Sequence, residues 1–134
     1  MKKLLIKPND VIKVNFVLGE RKNGEVVADI NVEAIKKTFG EELVDGTIEE
    51  HWAEFRRPTF ADTIDINGRI NTPDGVRLEF NPLAVRFARM AKLIKTWSLK
   101  EGDKPIPATP EAIGQLDPFI ASIIGMLLDA AIGV

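Results

Sequence analysis

Val11-Ile-Lys-Val-Asn-Phe-Val-Leu18 alternates apolar and polar residues with a period of two. Ile12, Val14, Phe16 and Leu18 therefore share one face of an extended segment, and Lys13 and Asn15 share the other. Residues 26–32 repeat the pattern, with Val26, Ala28, Ile30 and Val32 on one side and Asp29 and Asn31 opposite. Asn23-Gly24 lies between the two runs and is a strong two-residue turn signal. A β-hairpin is expected over about residues 10–32.

Working outward, the period changes. Ile35, Phe39 and Leu43 recur every four residues, which predicts a helix over about 33–43, weakened by Gly40 and ended by Asp45-Gly46. Thr47 with Glu50 three residues on reads as a capping box for a second helix, whose stripe is Ile48, Trp52 and Phe55 and which Pro58 stops. Residues 62–70 and 76–80 then read as a second strand pair around Thr72-Pro-Asp-Gly75, a type I turn sequence. Ile64, Ile66 and Ile70 are the inward candidates on its first arm; Val76, Leu78 and Phe80 alternate on its second.

Asn81-Pro82 opens a helix, cap then proline, expected to continue to Leu99. Leu83, Phe87, Met90, Ala91, Ile94 and Trp97 form its apolar face, and Arg86, Arg89, Lys92 and Lys95 a solvated basic face. Residues 102–110 are proline-rich and read as a stiff, extended connector. Thr109-Pro110 and Asp117-Pro118 then start two short helices by the same logic of cap and proline. The last of these is apolar on nearly every side, so it is either central in the core or covered by another chain. The expected fold class is α+β: two β-hairpins packed against helices, with a helical C-terminal portion. Residues 1–134 form one domain, mixed over 1–80 and helical over 81–134, with the proline-rich link at 102–110.

The charged residues, 18 basic against 20 acidic, leave a formal charge of −2, which gives no electrostatic footprint for nucleic acid. With no cysteine, disulfides, thiol nucleophiles and zinc–thiolate sites are excluded. The apolar run after Met1-Lys-Lys stops at Ile6, too short for a signal peptide, and no stretch reaches the roughly 20 apolar residues of a membrane span. A reducing cell interior is the expected compartment.

Reactive inventory is thin. His51 is the single histidine, beside Glu49, Glu50 and Glu54, and is read as part of a solvated helix face rather than a ligand or general base. Asp10 and Asp62 are read as cap or turn residues, and Asp45 and Asp74 as turn residues before glycine. Arg56-Arg57 before Pro58 could anchor an acidic partner, and is read first as a helix end where cations meet the carbonyl dipole. There is no tyrosine, and no glycine spacing matches a phosphate loop. The chain is expected to act by protein contact, without catalysis, cofactor or metal.

Four runs carry a resemblance: Phe55-Arg-Arg-Pro-Thr59, Leu93-Ile-Lys-Thr-Trp-Ser-Leu99, Gly102-Asp-Lys-Pro-Ile-Pro-Ala-Thr-Pro-Glu111 and Leu116-Asp-Pro-Phe-Ile120. Together they resemble small bacteriophage tail assembly chaperones, over about residues 55–128. The resemblance implies a protein of the infected bacterial cytoplasm that binds the tape measure protein, keeps its long hydrophobic helices soluble, recruits tail tube subunits and is absent from the finished virion. No catalytic residue carries over. Trp97, Leu99, Ile106, Phe119, Ile123 and Leu127 are the expected apolar contacts, to those phage proteins or to a second copy. A structural virion component, such as a head–tail connector or minor tail protein, is the alternative. A small nucleic-acid-binding regulator is the third reading.

Overall fold

The computed structural model describes residues 4–69 and 82–133, with backbone alone for 67–69. Its strands β1 (Val11–Glu20) and β2 (Val26–Asp29) form the expected hairpin, closed by Gly24 at φ 91°. Val17 faces Asp29 and Glu20 faces Val26. β2 is shorter than the alternation suggested, because two side chains capture the backbone at its end. Asp29 accepts the Ile30 amide and Asn31 accepts the Ala34 amide, so Asn31 is the N-cap of helix α1 (Val32–Phe39) instead of a strand residue. Gly40, at φ 52°, ends α1 before the expected Leu43, and a short 3-10 turn follows over Gly40–Glu42.

The largest departure from the sequence reading is β3 (Glu49–Arg56), expected as a helix. It pairs antiparallel with β1 over eight positions, from Val11 opposite Arg56 to Leu18 opposite Glu49. His51, Ala53 and Phe55 are buried and alternate with partly exposed Trp52, Glu54 and Arg56. The helical stripe Ile48, Trp52, Phe55 was therefore the wrong period. Thr47 caps nothing: its hydroxyl donates to the Val44 carbonyl at 2.7 Å and accepts the Glu20 amide at 3.1 Å. Central placement between two strands outweighs local helix propensity here.

Residues 60–69 form helix α2 (Phe60–Arg69), not the first arm of a second hairpin. Thr59 and Asp62 make the reciprocal capping box: the Asp62 amide donates to Thr59 Oγ1 at 3.1 Å, and the Thr59 amide donates to Asp62 Oδ2 at 2.9 Å. Ile66 is buried and Ile64 exposed, as a helical period requires of positions two apart. The expected second arm, residues 76–80, and its turn at 72–75 lie outside the described residues.

Helix α3 (Pro82–Leu93) stops six residues short of Leu99 and passes directly into β4 (Ile94–Trp97). β4 extends the sheet, giving the order β2-β1-β3-β4, with a register shift at Glu54/Phe55. A second hairpin among the described residues is β5 (Lys100–Glu101) with β6 (Lys104–Pro105), turned at Gly102, so the stretch read as a connector begins with a turn and a strand. Thr109 and Asp117 cap α4 (Pro110–Gln115) and α5 (Pro118–Ile132) as expected. The α+β class holds.

The sheet separates two apolar clusters. Ile12, Val14, Phe16, Phe55, Leu93 and Trp97 meet Ile124 and Leu128 of α5 on one face. Val17, Val27, Ile35 and Leu43 form a smaller cluster beneath α1 on the other. α5 packs over β1 and β2 and against α3. Ile120, Ile124 and Leu128 of α5 are core, Ile123, Leu127 and Ile132 lie at its margin, and Phe119 and Met126 are exposed.

Arg56, at a strand end and not a helix end, reaches Asp62 with both guanidinium nitrogens, at 2.5 and 3.1 Å. These hydrogen bonds, aided by Thr59 and opposed by burial, hold the Asp62 carboxyl well below the usual carboxylate range. A depressed carboxyl contributes stability that is complete above its unfolded pKa of about 4 and is lost as pH falls through its folded value. Asp62→Ala is therefore expected to cost about 2 kcal/mol at pH 7. That difference from the parent should hold down to about pH 5 and shrink below about pH 4. Urea unfolding of both proteins across pH 3–7 measures it, and a difference that grew on acidification would reject the assignment.

Candidate protein-contact surfaces

The six expected contact residues fall into three groups. Trp97 and Leu99 are core residues. Trp97 packs beside buried Ala53 on β3, and its Nε1 donates to the Ile106 carbonyl at 2.6 Å. Both side chains are built into the fold and offer a partner no surface in this state. Ile106 is half-buried against the same cluster. Phe119, Ile123 and Leu127 all belong to α5. Phe119 is exposed and meets Phe39 edge-on at 6.2 Å; Ile123 and Leu127 are half-buried at the margin of the core.

A further outward apolar surface lies between helices. Leu83 and Phe87 were expected to face the core and are instead 68% and 46% exposed. They line a groove of about 200 Å³ with Met90, Ile113, Pro118 and Ala121. Arg86 and Ser122 line it as well. On α5 the stripe Phe119, Ser122, Met126 recurs at three and four residues, so the groove opens onto an apolar ridge whose large members, Phe119 and Met126, are 48% and 44% exposed. Sequence periodicity put Phe87 with Leu83 on the buried face of α3, and the structure leaves both outside the core. On α4, a Cβ at Gly114 would lie 3.6 Å from the Phe87 ring.

The supposed basic face of α3 is not a free cationic face. Arg86 and Arg89 both donate to Asp129 on α5, at 3.0 and 2.5 Å, and Lys92 lies 2.8 Å from Asp65 on α2. These charges join helices together.

His51 is likewise misread as a solvated helix residue. It is buried in β3, stacked on Phe16 with ring centroids 5.9 Å apart. Nδ1 lies 2.9 Å from Ser98 Oγ, and Nε2 lies 3.1 Å from Glu49 Oε2. Carboxylate, imidazole and hydroxyl thus stand in the order of a nucleophile relay. The Ser98 oxygen, however, already accepts the Trp52 amide at 2.8 Å, while the Ser98 amide donates to the Trp52 carbonyl at 3.0 Å. Ser98 is a clip that carries the β3 ladder one residue past β4. Among the described residues, no three His, Cys, Asp or Glu side chains converge as metal ligands, and no helix is long and apolar enough to cross a membrane.

A larger, open depression of about 1160 Å³ lies beside α1. Its lining mixes Lys22 and Lys36 with Glu41, Asp45 and Glu50 over Leu43 and Ile48, so its charge selects no ligand class. No protein-family model, curated protein or solved structure matches this chain.

Proposed function

We propose that this chain is a non-catalytic bacteriophage tail assembly chaperone that binds tape measure or tail tube protein. The observation that carries the reading is the apolar groove between α3, α4 and α5, opening onto the Phe119–Met126 ridge. A groove of that shape suits one or two large apolar side chains of an amphipathic helix, the form in which a tape measure protein would present itself. The resemblance at Phe55–Thr59, Leu93–Leu99, Gly102–Glu111 and Leu116–Ile120 supplies the family. Its four runs do structural work here: they contain the β3 end with the α2 cap, β4, the β5–β6 turn and β6 with the α4 cap, and the α5 cap.

Co-expression with a tape measure protein tests this reading. The wild-type chain is expected to keep the tape measure soluble. Phe87→Asp and Phe119→Asp, both at exposed positions, should each leave the fold within about 0.5 kcal/mol of wild type and lose most of that rescue. Equal rescue by both variants would reject the groove. Stoichiometric presence of the chain in purified virions, read by mass spectrometry, would replace the chaperone reading with that of a structural component.

A further inference from the structure

Among the described residues, the sheet has an open edge that its strand lengths create. β1 has ten residues and β2 four, and β2 pairs only with residues 17–20. The backbone bonds fix which way each residue of β1 points. The carbonyls of Asp10 and Glu20 accept amides of Arg57 and Val44, on the β3 side, while the Arg21 amide donates to Glu25 across the hairpin. Alternation then turns the even-numbered residues of β1 toward β3 and the odd-numbered ones away from it. Val11, Lys13 and Asn15 accordingly direct their N–H and C=O groups to the side where β2 has already ended, and all three residues are exposed. Among the described residues no strand pairs with them there.

We propose that this edge, from Val11 to Asn15, takes an extended segment of a partner polypeptide as an added antiparallel strand, with a carboxylate opposite Lys13. The segment continues the line of β2 and satisfies backbone groups that a bare edge leaves to water. Both faces of the added strand have a defined environment. On one face Lys13 lies over the Trp52 ring, 5.0 Å from its centroid, and carries the positive charge of the edge. On the other, α5 lies over β1 and β2. Ile123 and Leu127 occupy the flank of α5 turned away from α3, because each is two residues, about 200°, from Gly125, which abuts Arg86. The incoming strand thus needs apolar residues toward α5 alternating with polar ones, acidic at the centre. A second copy of this chain fits poorly: full antiparallel pairing of two such edges sets Lys13 against its own equivalent, and directly opposed like charges destabilise.

This inference goes beyond the tail reading and stands without it. Its probe is a seven-residue peptide, Val-Thr-Val-Glu-Val-Thr-Val with blocked ends, and the counterpart with Lys in place of Glu, titrated into the ¹⁵N-labelled full chain up to about 1 mM. The Glu peptide is expected to shift the amides of Val11, Lys13 and Asn15 and to slow their hydrogen exchange. Lys13→Glu should weaken it about fivefold and reverse the preference between the peptides. Asn15→Pro removes only an outward-facing N–H and should abolish binding with the far-UV dichroism of the fold retained. Should that variant unfold, the charge reversal decides alone. Absence of shifts at the edge amides, shifts confined to the Leu83–Phe87 groove, or an unchanged preference in Lys13→Glu would each overturn the proposal, and none of these results would bear on co-expression with the tape measure.

Discussion

A chain ending at Asp117 is expected not to fold. The truncation removes α5, whose Ile124 and Leu128 are fully buried and whose Ile120 is nearly so. Burying each such side chain contributes about 1.5–3 kcal/mol. Three of them alone supply roughly 5–9 kcal/mol, comparable to the whole stability of an ordinary domain. The loss also strips the cover from Ile12, Val14 and Phe16 on β1 and leaves Arg86 and Arg89 without Asp129. Collapsed amide dispersion in a heteronuclear NMR spectrum and loss of a cooperative urea transition are the expected signatures. A truncated chain that kept a folded sheet and lost only self-association would show α5 to be an interface element, against its burial here.

The second large effect is at Gly125. A Cβ built there would lie 2.4 Å from Arg86 Cδ, 2.7 Å from Arg86 Cγ and 3.1 Å from Met90 Sδ. Glycine in mid-helix ordinarily costs about 1 kcal/mol relative to alanine. Here that cost accompanies the close approach of α3 to α5. Arg86 cannot simply swing aside, because its Nε is held by Asp129 one turn further along α5. Gly125→Leu is expected to push the helices apart, break that ion pair and lower stability by about 3 kcal/mol, or roughly 10 °C in melting temperature. Gly125→Ala separates the terms: the gain in helix propensity partly offsets the clash, so its loss should be well below that of leucine. Thermal unfolding of both variants measures this. A leucine variant as stable as wild type would mean that α3 and α5 do not approach closely in solution.

How much of this could be read from residues alone depends on the range of the interaction responsible. Local signals were legible. The Asn23-Gly24 hairpin and the Thr109 and Asp117 caps involve residues within four positions of one another, and each appears as a short pattern. Gly40 reads in the sequence only as a weak point of a helix ended by Asp45-Gly46, yet it is where α1 stops. The Thr59–Asp62 capping box was equally local but was masked by the Ile64, Ile66 alternation. Lys13 was seen on the polar face of a strand, yet nothing nearby in sequence says that β2 ends too early to cover it.

Composition and local pattern by themselves determined the α+β class, the first hairpin, the capped starts of α4 and α5 and the thin reactive inventory. Tertiary structure decided the rest. Glu49–Arg56 became a central strand because β1 pairs with it along its length and β4 pairs with it over Ala53–Phe55, for which Ile94–Trp97 left its helix. α5, apolar nearly all round, puts Ile120, Ile124 and Leu128 into the core shared with β1, while a narrower ridge from Phe119 to Met126 stays outside. The physical reason is common to these cases. Caps and turns are set by neighbours along the chain, whereas strand partners, burial and open edges are set by groups far apart in sequence, whose lengths must be compared in space before any of them is known to be left over.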